Sequence, residues 1–320
     1  MRAMRILEHS QLAPHTFRRS VVTVGNFDGV HRGHQALLRQ VAHRARDLQA
    51  TSVVYTFHPH PLKVLNPSFC PPLITGFDDR VARIAAEGID ALVWARFDRE
   101  YAAQDPEVFV RDTLVERLGM AEVWVGPDFA FGRGRAGSIG MLERLGAELG
   151  FSVRVLGAFT YGGETVSSTR IRQAISRADF ATAEKLLGRP YTLHGPVVHG
   201  AARGRSLGFP TANVLPREEC LPPAGVYAAW ATLEGAARPA AMNIGPNPTF
   251  GDGGTRVEAF LLDFNGDLYG TELELCPVAT VRGEIAFRSA EDLSRQIRTD
   301  VEAVRQLLGT QERRYAEGRS

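Results

Sequence analysis

The stretch "TVGNFDGVHRGHQALLRQ" (23–40) changes character twice along its length. It begins as a β-branched apolar run, which is typical of a strand buried on both faces. Gly25 and Gly29 then permit a tight backbone path, and leucine and valine residues follow at roughly helical spacing. His31 and His34 therefore lie where a strand hands over to a helix, and this strand-to-helix unit is typical of a parallel α/β sheet.

The rest of the first half repeats this alternation. Patterns with an acidic start and a glycine end, which predict helices, separate further short apolar runs. The pattern predicts a doubly wound, Rossmann-like parallel sheet, in which ligands bind beyond the carboxyl ends of the strands. The predicted strands beside the opening one are "TSVVYTF" (51–57), "DALVWARF" (90–97), "AEVWVG" (121–126) and "FSVRVLG" (151–157).

The second half has a different texture. Glycine and proline cluster between short strand-like runs, which indicates a small all-β unit, a barrel or a sandwich. A terminal helix is predicted over 289–308, with Ser289 as its N-cap and Asp292 near the capping-box position. We expect two domains, 1–187 and 188–320.

Composition narrows the function classes. The chain has 320 residues, 44% hydrophobic and 23% charged, with a net charge of +1, which argues against a nucleic-acid or membrane-surface binder. Its three cysteines match no metal spacing and its N-terminus has no apolar export signal, so we expect a cytoplasmic protein. Only two lysines, Lys63 and Lys185, are present, which disfavours a P-loop.

The histidine turn suits phosphate binding. A helix N-terminus presents unpaired N–H groups to an anion, and two imidazoles could stabilise charge developing on a phosphate. Gly33, between the two histidines, would allow close backbone approach. From spacing alone, two alternatives stay open: a glycine-rich turn with solvated histidines, or a metal site that also uses His58 and His60.

The second half offers a different set of groups. Thr211 and Asn213 alternate in a predicted strand and would face one side, with hard oxygens that suit Mg²⁺; the alternative is a turn of self-bonding polar residues. All histidines lie at or before His199, so a general base here should be a carboxylate. In "RVEAFLLDF" alternation places Glu258 on the face of Phe260, Leu262 and Phe264. Burying a glutamate on such a face is costly unless the carboxylate is paired or functional. The alternative is that this face borders solvent.

Taken in order, these blocks are specific. "GNFDGVHRGHQ" resembles the H-x-G-H nucleotidyltransferase signature, and "TFHPHP" (56–61), "VGPDFAFGRGRAG" (125–137), "VSSTRIR" (166–172) and "GFPTAN" follow in the same order. The ordered set resembles the bacterial bifunctional riboflavin kinase/FMN adenylyltransferase (FAD synthetase) family over almost the whole chain. The resemblance implies phosphorylation of riboflavin by ATP in a C-terminal flavokinase-type barrel. It then implies transfer of AMP from ATP to FMN, with release of pyrophosphate, in the N-terminal domain.

The resemblance also implies site residues. His31 and His34 would act on the ATP phosphates as catalytic residues, and Ser168, Thr169 and Arg172 would open a second anion-binding helix. The implied adenylyltransferase ATP site comprises Gly25, Asn26, Phe27, Asp28, His31, His34, Asp128, Ser168, Thr169 and Arg172. The segment "GRGRAG" (132–137) belongs to the block that resembles a family loop; the alternative that it is simply a mobile basic loop stays equally open.

In the kinase half, the resemblance implies that Thr211 and Asn213 hold Mg²⁺-ATP, with Gly204 and Gly208 in a phosphate-covering loop. Glu258 would be the base that activates the ribityl hydroxyl. Phe260 is a departure, because the family often has histidine there, and flavin affinity or turnover could differ. Arg282 lies in "VRGEIAF", which resembles the L-R-x-E segment of the family. The resemblance implies either a flavin-binding or a structural role for this arginine.

The expected partners are riboflavin, FMN and ATP, with no nucleic acid and no membrane, and the expected state is a monomer or weak homo-oligomer. Three rival functions stay open: an enzyme with one active step, a flavin- or nucleotide-sensing protein, and a nucleotidyltransferase for another phosphate acceptor. Loss of His31, His34, Thr211 or Glu258 would favour a sensor, and all four are present.

Overall fold

The computed structural model describes residues 3–199, 209–246 and 255–309. The chain forms two compact units, Met1–Ser168 and Thr169–Ser320. In the described residues, we find no helix with the length and apolar character needed to cross a bilayer.

The first unit is built on a six-stranded sheet whose paired strands are all parallel, as the alternating pattern predicts. The strand order is β1-β4-β3-β2-β5-β6. The edge strand β1 escaped sequence-based prediction because its four residues "RILE" are half exposed and lack a buried apolar run. The strands are β1 (Arg5–Glu8), β2 (Ser20–Val24), β3 (Thr51–His58), β4 (Ala91–Arg96), β5 (Met120–Val125) and β6 (Ser152–Val155).

Helices connect these strands, and buried residues form two apolar clusters. The longest helix of the unit, α1, follows β2 and buries Leu37, Leu38 and Val41. A β-hairpin, β7 (Thr160–Tyr161) and β8 (Glu164–Thr165), ends the unit. The helices are α1 (Arg32–Asp47), α2 (Pro61–Leu65), α3 (Phe77–Ala86), α4 (Arg99–Ala102), α5 (Pro106–Val108, continued as a π-helix over Phe109–Arg117) and α6 (Ile139–Leu149).

The second unit contains a closed six-stranded antiparallel barrel of order β10-β13-β12-β11-β14-β9. The prediction of a barrel with a terminal helix is therefore confirmed. Two helices, α7 (Ser168–Ser176) and α8 (Phe180–Leu187), precede the barrel, and α9 (Ala290–Gly309) follows it. The barrel strands are β9 (Leu193–Val198), β10 (Ala212–Val214), β11 (Gly225–Leu233), β12 (Ala236–Pro246), β13 (Thr255–Leu261) and β14 (Glu272–Gly283).

Burial in β13 alternates as its sequence predicts. Val257, Ala259 and Leu261 are buried, whereas Glu258 and Phe260 are half-buried on the other face. Leu262 packs in the same apolar cluster as Phe260, as the alternation predicts, but the strand ends at Leu261 and a turn follows, so the regular alternation does not extend to Phe264.

The terminal helix α9 begins where its cap predicts. The Ser289 hydroxyl accepts the Asp292 N–H at 3.1 Å and donates to the Asp292 carboxylate at 2.8 Å. Val304 and Leu308 of α9 pack with Trp230 in one apolar cluster, so the helix covers part of the barrel.

Candidate functional sites

The histidine turn joins β2 to α1 in the first unit. His31 is the N-cap of α1, and its Nδ1 accepts the backbone N–H of His34 at 3.3 Å. The two imidazole rings stack with centroids 3.6 Å apart and planes 15° apart. A Cβ atom on Gly33 would lie 3.2 Å from the His31 ring, so glycine leaves room for that ring over the first helical turn. The structure therefore brings the two predicted phosphate-binding histidines into one pair.

The backbone before the histidines is strained. Phe27 (φ 52°) and Val30 (φ 39°) adopt left-handed conformations, which are rare for a β-branched residue such as Val30. Each such residue costs about 1–3 kcal/mol and persists only where its surroundings hold it. Both side chains are almost fully buried. The Asp28 carboxylate accepts the backbone N–H groups of Ile74 and Thr75 at 3.0 and 3.2 Å, which holds the turn against the next loop.

A buried arginine on α3 completes the turn. The Arg80 guanidinium donates to the backbone carbonyls of Asn26 at 2.7 Å and of Phe57 at 3.1 Å, so it joins the ends of β2 and β3. Burial, together with positive charge at His31 and Arg80, lowers the pKa of His34 well below its usual value. In the described structure, the His34 Nδ1 is buried without a hydrogen-bond partner. A neutral imidazole still donates one N–H, so a His34 tautomer with its proton on Nδ1, at the N-terminus of α1, would suit an anion.

The metal alternative for this turn has no geometric support among the described residues. No cluster of histidine, cysteine, aspartate or glutamate with metal-ligand spacing includes His31, His34, His58 or His60 there. Both ring nitrogens of His60 have partners instead: Nε2 lies 3.2 Å from the Asn26 amide nitrogen, and Nδ1 accepts the Leu62 backbone N–H at 3.2 Å.

Other predicted residues of this site fall in different places. The Asn26 amide lies beside His60, and the Ser168 hydroxyl donates to the backbone carbonyl of Asp28 at 2.9 Å. The Asp28 carboxylate is buried against the backbone of Ile74 and Thr75. Thr169 and Arg172 lie on α7, in the second unit.

A cavity of about 950 Å³ adjoins the turn within the first unit. Gly25, Asn26 and Asp128 lie on its wall, together with Arg99, Arg133 and Arg135. In the described structure, these three guanidinium groups have no ion-pair or hydrogen-bond partner. The remainder of the wall is mostly apolar and includes six aromatic rings, of Phe57, Phe97, Tyr101, Phe109, Phe129 and Phe131.

The second candidate site is a row of polar side chains across three barrel strands. Glu258 on β13 is in register with Asn213 on β10 and with Asn243 on β12, so the three residues share one face. Thr211 lies two residues before Asn213 and, like it, is half-buried. In the described residues, neither asparagine amide nor the Thr211 hydroxyl has a hydrogen-bond partner.

The neighbours of Glu258 define the site further. Its carboxylate lies 3.3 Å from the Arg256 guanidinium and its side chain is 18% exposed, so it is neither solvated nor fully buried. Phe260, at the position where the resembled family often has histidine, packs edge-on against Phe209 with ring centroids 5.5 Å apart.

Arg282 lies in a different environment. Its guanidinium makes a bidentate pair with the Asp300 carboxylate of α9, with distances of 2.9 to 3.0 Å. Gln296 donates to the same carboxylate at 2.9 Å. This pair ties β14 to α9. Gly204 and Gly208, predicted for a phosphate-covering loop, lie outside the described residues.

Three features of the two sites escaped sequence-based prediction. Arg80 follows Asn26 by 54 residues and is an ordinary charged position in its helix pattern. Asn243 becomes visible only through the register of β12 with β13. The aromatic cavity gathers residues from separate loops; "TFHPHP" and "VGPDFAFGRGRAG" each contribute to its wall, but neither block predicts the cavity by itself.

Comparisons with known proteins agree with both halves of the chain. A family model described as FAD synthetase matches residues 13–170, and one described as riboflavin kinase matches residues 187–308. A bifunctional riboflavin kinase/FMN adenylyltransferase from Escherichia coli K12 is 39% identical over 90% of this chain and 93% of its own. The Pseudomonas fluorescens protein of that name is 40% identical over 91% and 93%.

A solved structure, described as a macrolide-efflux protein from Streptococcus pneumoniae, is 30% identical with a TM-score of 0.80. The match covers 94% of this chain and 99% of that one, so the two share a fold. The fold and the two sites define a nucleotidyltransferase unit joined to a flavokinase-type barrel. The chain belongs to the bifunctional riboflavin kinase/FMN adenylyltransferase family.

Proposed function

We propose that this chain makes FAD from riboflavin in two ATP-dependent steps, as its family membership supports. The barrel phosphorylates riboflavin to FMN, and the first unit then joins AMP to FMN. The observation that carries the proposal is the buried His34 Nδ1, which has no hydrogen-bond partner in the described structure, in a turn whose Gly25 and Asn26 line an aromatic cavity. We further propose 1–187 and 188–320 as the two functional domains; the matches of the two family models, over 13–170 and 187–308, support a boundary near residue 187.

In the adenylyltransferase step, the FMN phosphate is itself the nucleophile. One of its oxygens attacks the α-phosphorus of ATP, a new P–O–P bridge forms, and the bond to pyrophosphate breaks. The proposed role of His31 and His34 is to hold the ATP phosphates at the α1 N-terminus and to stabilise the charge that builds up on them. Gly25, Asn26, Phe27 and Asp28 shape the turn, with Arg80 fixing its backbone. Ser168, Thr169 and Arg172 remain proposed contacts to the ATP phosphates.

The cavity is the proposed binding site for the flavin ring of FMN. Its volume lies in the range of small-molecule sites, and aromatic walls suit a planar tricyclic ligand. The unpaired arginines on its wall would outweigh Asp128 and create a positive potential that favours FMN, which carries a phosphate dianion, over uncharged riboflavin.

In the kinase step, Glu258 is the proposed general base. Its carboxylate takes the proton of the terminal ribityl hydroxyl while that oxygen attacks the γ-phosphorus of ATP, and ADP leaves. Asn243, in register with Glu258, is a proposed orienting group. The Arg282–Asp300 pair favours a positioning role for Arg282 over a direct flavin contact.

Mg²⁺ is the proposed metal of the kinase step. The side-chain oxygens of Thr211 and Asn213 are hard ligands, and their lack of a described hydrogen-bond partner fits such a role. The ion would neutralise phosphate charge when bound. Gly204 and Gly208 remain proposed for the phosphate-covering loop. We also keep a cytoplasmic location and a monomer or weak homo-oligomer as proposals, the latter to be tested by light scattering.

The direct test is to incubate the protein with riboflavin, ATP and Mg²⁺ and to separate the flavins by chromatography. We expect FMN to appear first and FAD to follow. Absence of both products would overturn the proposal, and FMN without FAD would indicate a single active step. Omitting Mg²⁺ with a chelator present should stop FMN formation.

A further inference from the structure

We propose that the hydrogen-bonded chain His9–Tyr55–Tyr101 positions the α4 wall of the aromatic cavity and thereby sets its affinity for FMN. The Tyr55 Oη lies 2.8 Å from the His9 Nδ1 and 2.7 Å from the Tyr101 Oη. Tyr101 lines the cavity, whereas Tyr55 and His9 stand behind it. The inference rests on the proposed binding of FMN in this cavity.

The wall segment α4 needs an external tether. A single turn of four residues cannot hold its own conformation in water. Asp98, Arg99 and Glu100 are exposed, and Tyr101 is the large side chain that anchors the turn. The Asp98 carboxylate caps the Tyr101 N–H at 2.8 Å, which fixes the turn locally but does not fix it to the sheet.

Tyr55 supplies that link. It is fully buried in the middle of β3, and its ring packs edge-on against the cavity rings Phe57 and Phe109, with centroids 5.7 and 5.5 Å apart. Its hydroxyl is the polar group among these rings, and it reaches Tyr101 on one side and His9 on the other. Tyr55 therefore contacts three residues of the aromatic wall, Phe57, Phe109 and Tyr101, without lining the cavity itself.

The protons of the chain have a consistent order. Burial, with a further contribution from Arg117, lowers the pKa of His9. A neutral His9 leaves Nδ1 free to accept the Tyr55 O–H, and the Tyr55 oxygen then accepts the Tyr101 O–H. Burial raises the pKa of both tyrosines, so both hydroxyls keep their protons. Fixing a wall before the ligand arrives lowers the cost of binding.

The test is a double-mutant cycle on the adenylyltransferase reaction, with Tyr55→Phe, Tyr101→Phe and the double variant. Because Tyr55 acts through Tyr101, we expect each single change to raise KM for FMN about fivefold, and the double variant to be no worse than Tyr101→Phe. KM for ATP, kcat and riboflavin phosphorylation should stay within twofold of wild type. Tyr191→Phe, which also removes a buried phenol hydrogen bond, is the matched control and should leave KM for FMN unchanged.

Several outcomes would overturn the proposal: an unchanged KM for FMN in folded Tyr55→Phe, single effects that multiply to about 25-fold, or an equal rise in KM for ATP. Should Tyr55→Phe fail to fold, His9→Ala removes the half-buried outer end, and we expect about a twofold rise in KM for FMN. An unchanged value would again contradict the tether.

Failure of the tether can be distinguished from failure of the proposed function. Ala130→Trp places a large ring on the cavity wall and should abolish FMN binding if the flavin occupies the cavity. Loss of binding in Ala130→Trp with no effect of the tyrosine variants would keep the site and reject the tether. A wild-type protein that forms no FAD would reject the site itself.

Discussion

The two candidate sites hold their polar groups in different ways. In the first unit, a strained turn buries its polar atoms and is fixed by Asp28 and Arg80, residues outside any regular strand. In the barrel, Asn213, Glu258 and Asn243 project from regular strands, and register alone puts them side by side. The turn therefore depends on unusual backbone conformations and close packing, whereas the barrel site depends on the identity of the side chains it displays.

The largest effect should come from removing one displayed group. Glu258→Gln keeps the shape and the strand but removes the proton acceptor, so we expect riboflavin phosphorylation to fall by about 10³-fold. Conversion of supplied FMN to FAD should be unchanged, as measured by flavin chromatography. Glu272→Gln, an exposed glutamate on β14 paired with Arg217, is the control and should retain both activities. Equal loss of both steps in folded Glu258→Gln would argue against separate sites.

The corresponding experiment in the first unit removes a side chain from the histidine turn. His34→Ala removes an imidazole from the proposed phosphate site, so FAD formation from FMN should fall by about 10²- to 10³-fold. Riboflavin phosphorylation should persist.

His43→Ala tests specificity in the same helix, because His43 is exposed and pairs only with Asp47 among the described residues. Normal FAD formation by His34→Ala would remove its assigned role.

The same contrast explains how far the sequence could predict each region. Period-two alternation places Glu258 on the half-buried face of β13, and strand-to-helix periodicity places His31 at the start of α1. Local pattern was sufficient for both. Asn243 required register, which depends on how whole strands pair, and no local signal fixes it.

In the first unit, contacts between residues far apart in the sequence could not be predicted from local pattern. Asp28 reads as a loop carboxylate beside the histidines, yet it bonds to the backbone of Ile74 and Thr75. Alternation continued past Leu261 predicts Phe264 on the Glu258 face, but the strand ends at Leu261. Both differences arise where the chain leaves regular structure, because periodicity carries no information there.

A packing change at Gly33 should have an intermediate effect. Alanine there is a good helix former, but its Cβ would press on the His31 ring at 3.2 Å and displace the stacked pair. Because small misplacements of phosphate-binding groups are costly, we expect FAD formation to fall by about 10- to 100-fold.

Gly140→Ala offers a matched control. Gly140 holds the same second position in α6, and a Cβ there meets only the Ser138 hydroxyl, at 3.9 Å. Its FAD formation should equal that of wild type. A fully active Gly33→Ala would show that the histidine pair tolerates displacement, which would weaken the contrast between a packed turn and a displayed row.

The smallest effect is a pH dependence of stability in the first unit. The folded pKa of His34 lies well below its ordinary value of 6.5, so the unfolded chain binds a proton that the folded chain refuses. Stability from this group is therefore complete above about pH 7 and falls as the pH drops through 6.5, by about 1 kcal/mol between pH 6.5 and 5.5. Amide hydrogen exchange of β2 and α1, corrected for intrinsic rates, would measure it. His34→Gln should flatten the slope, and an unchanged slope in that variant would assign the pH dependence to other groups, such as His9.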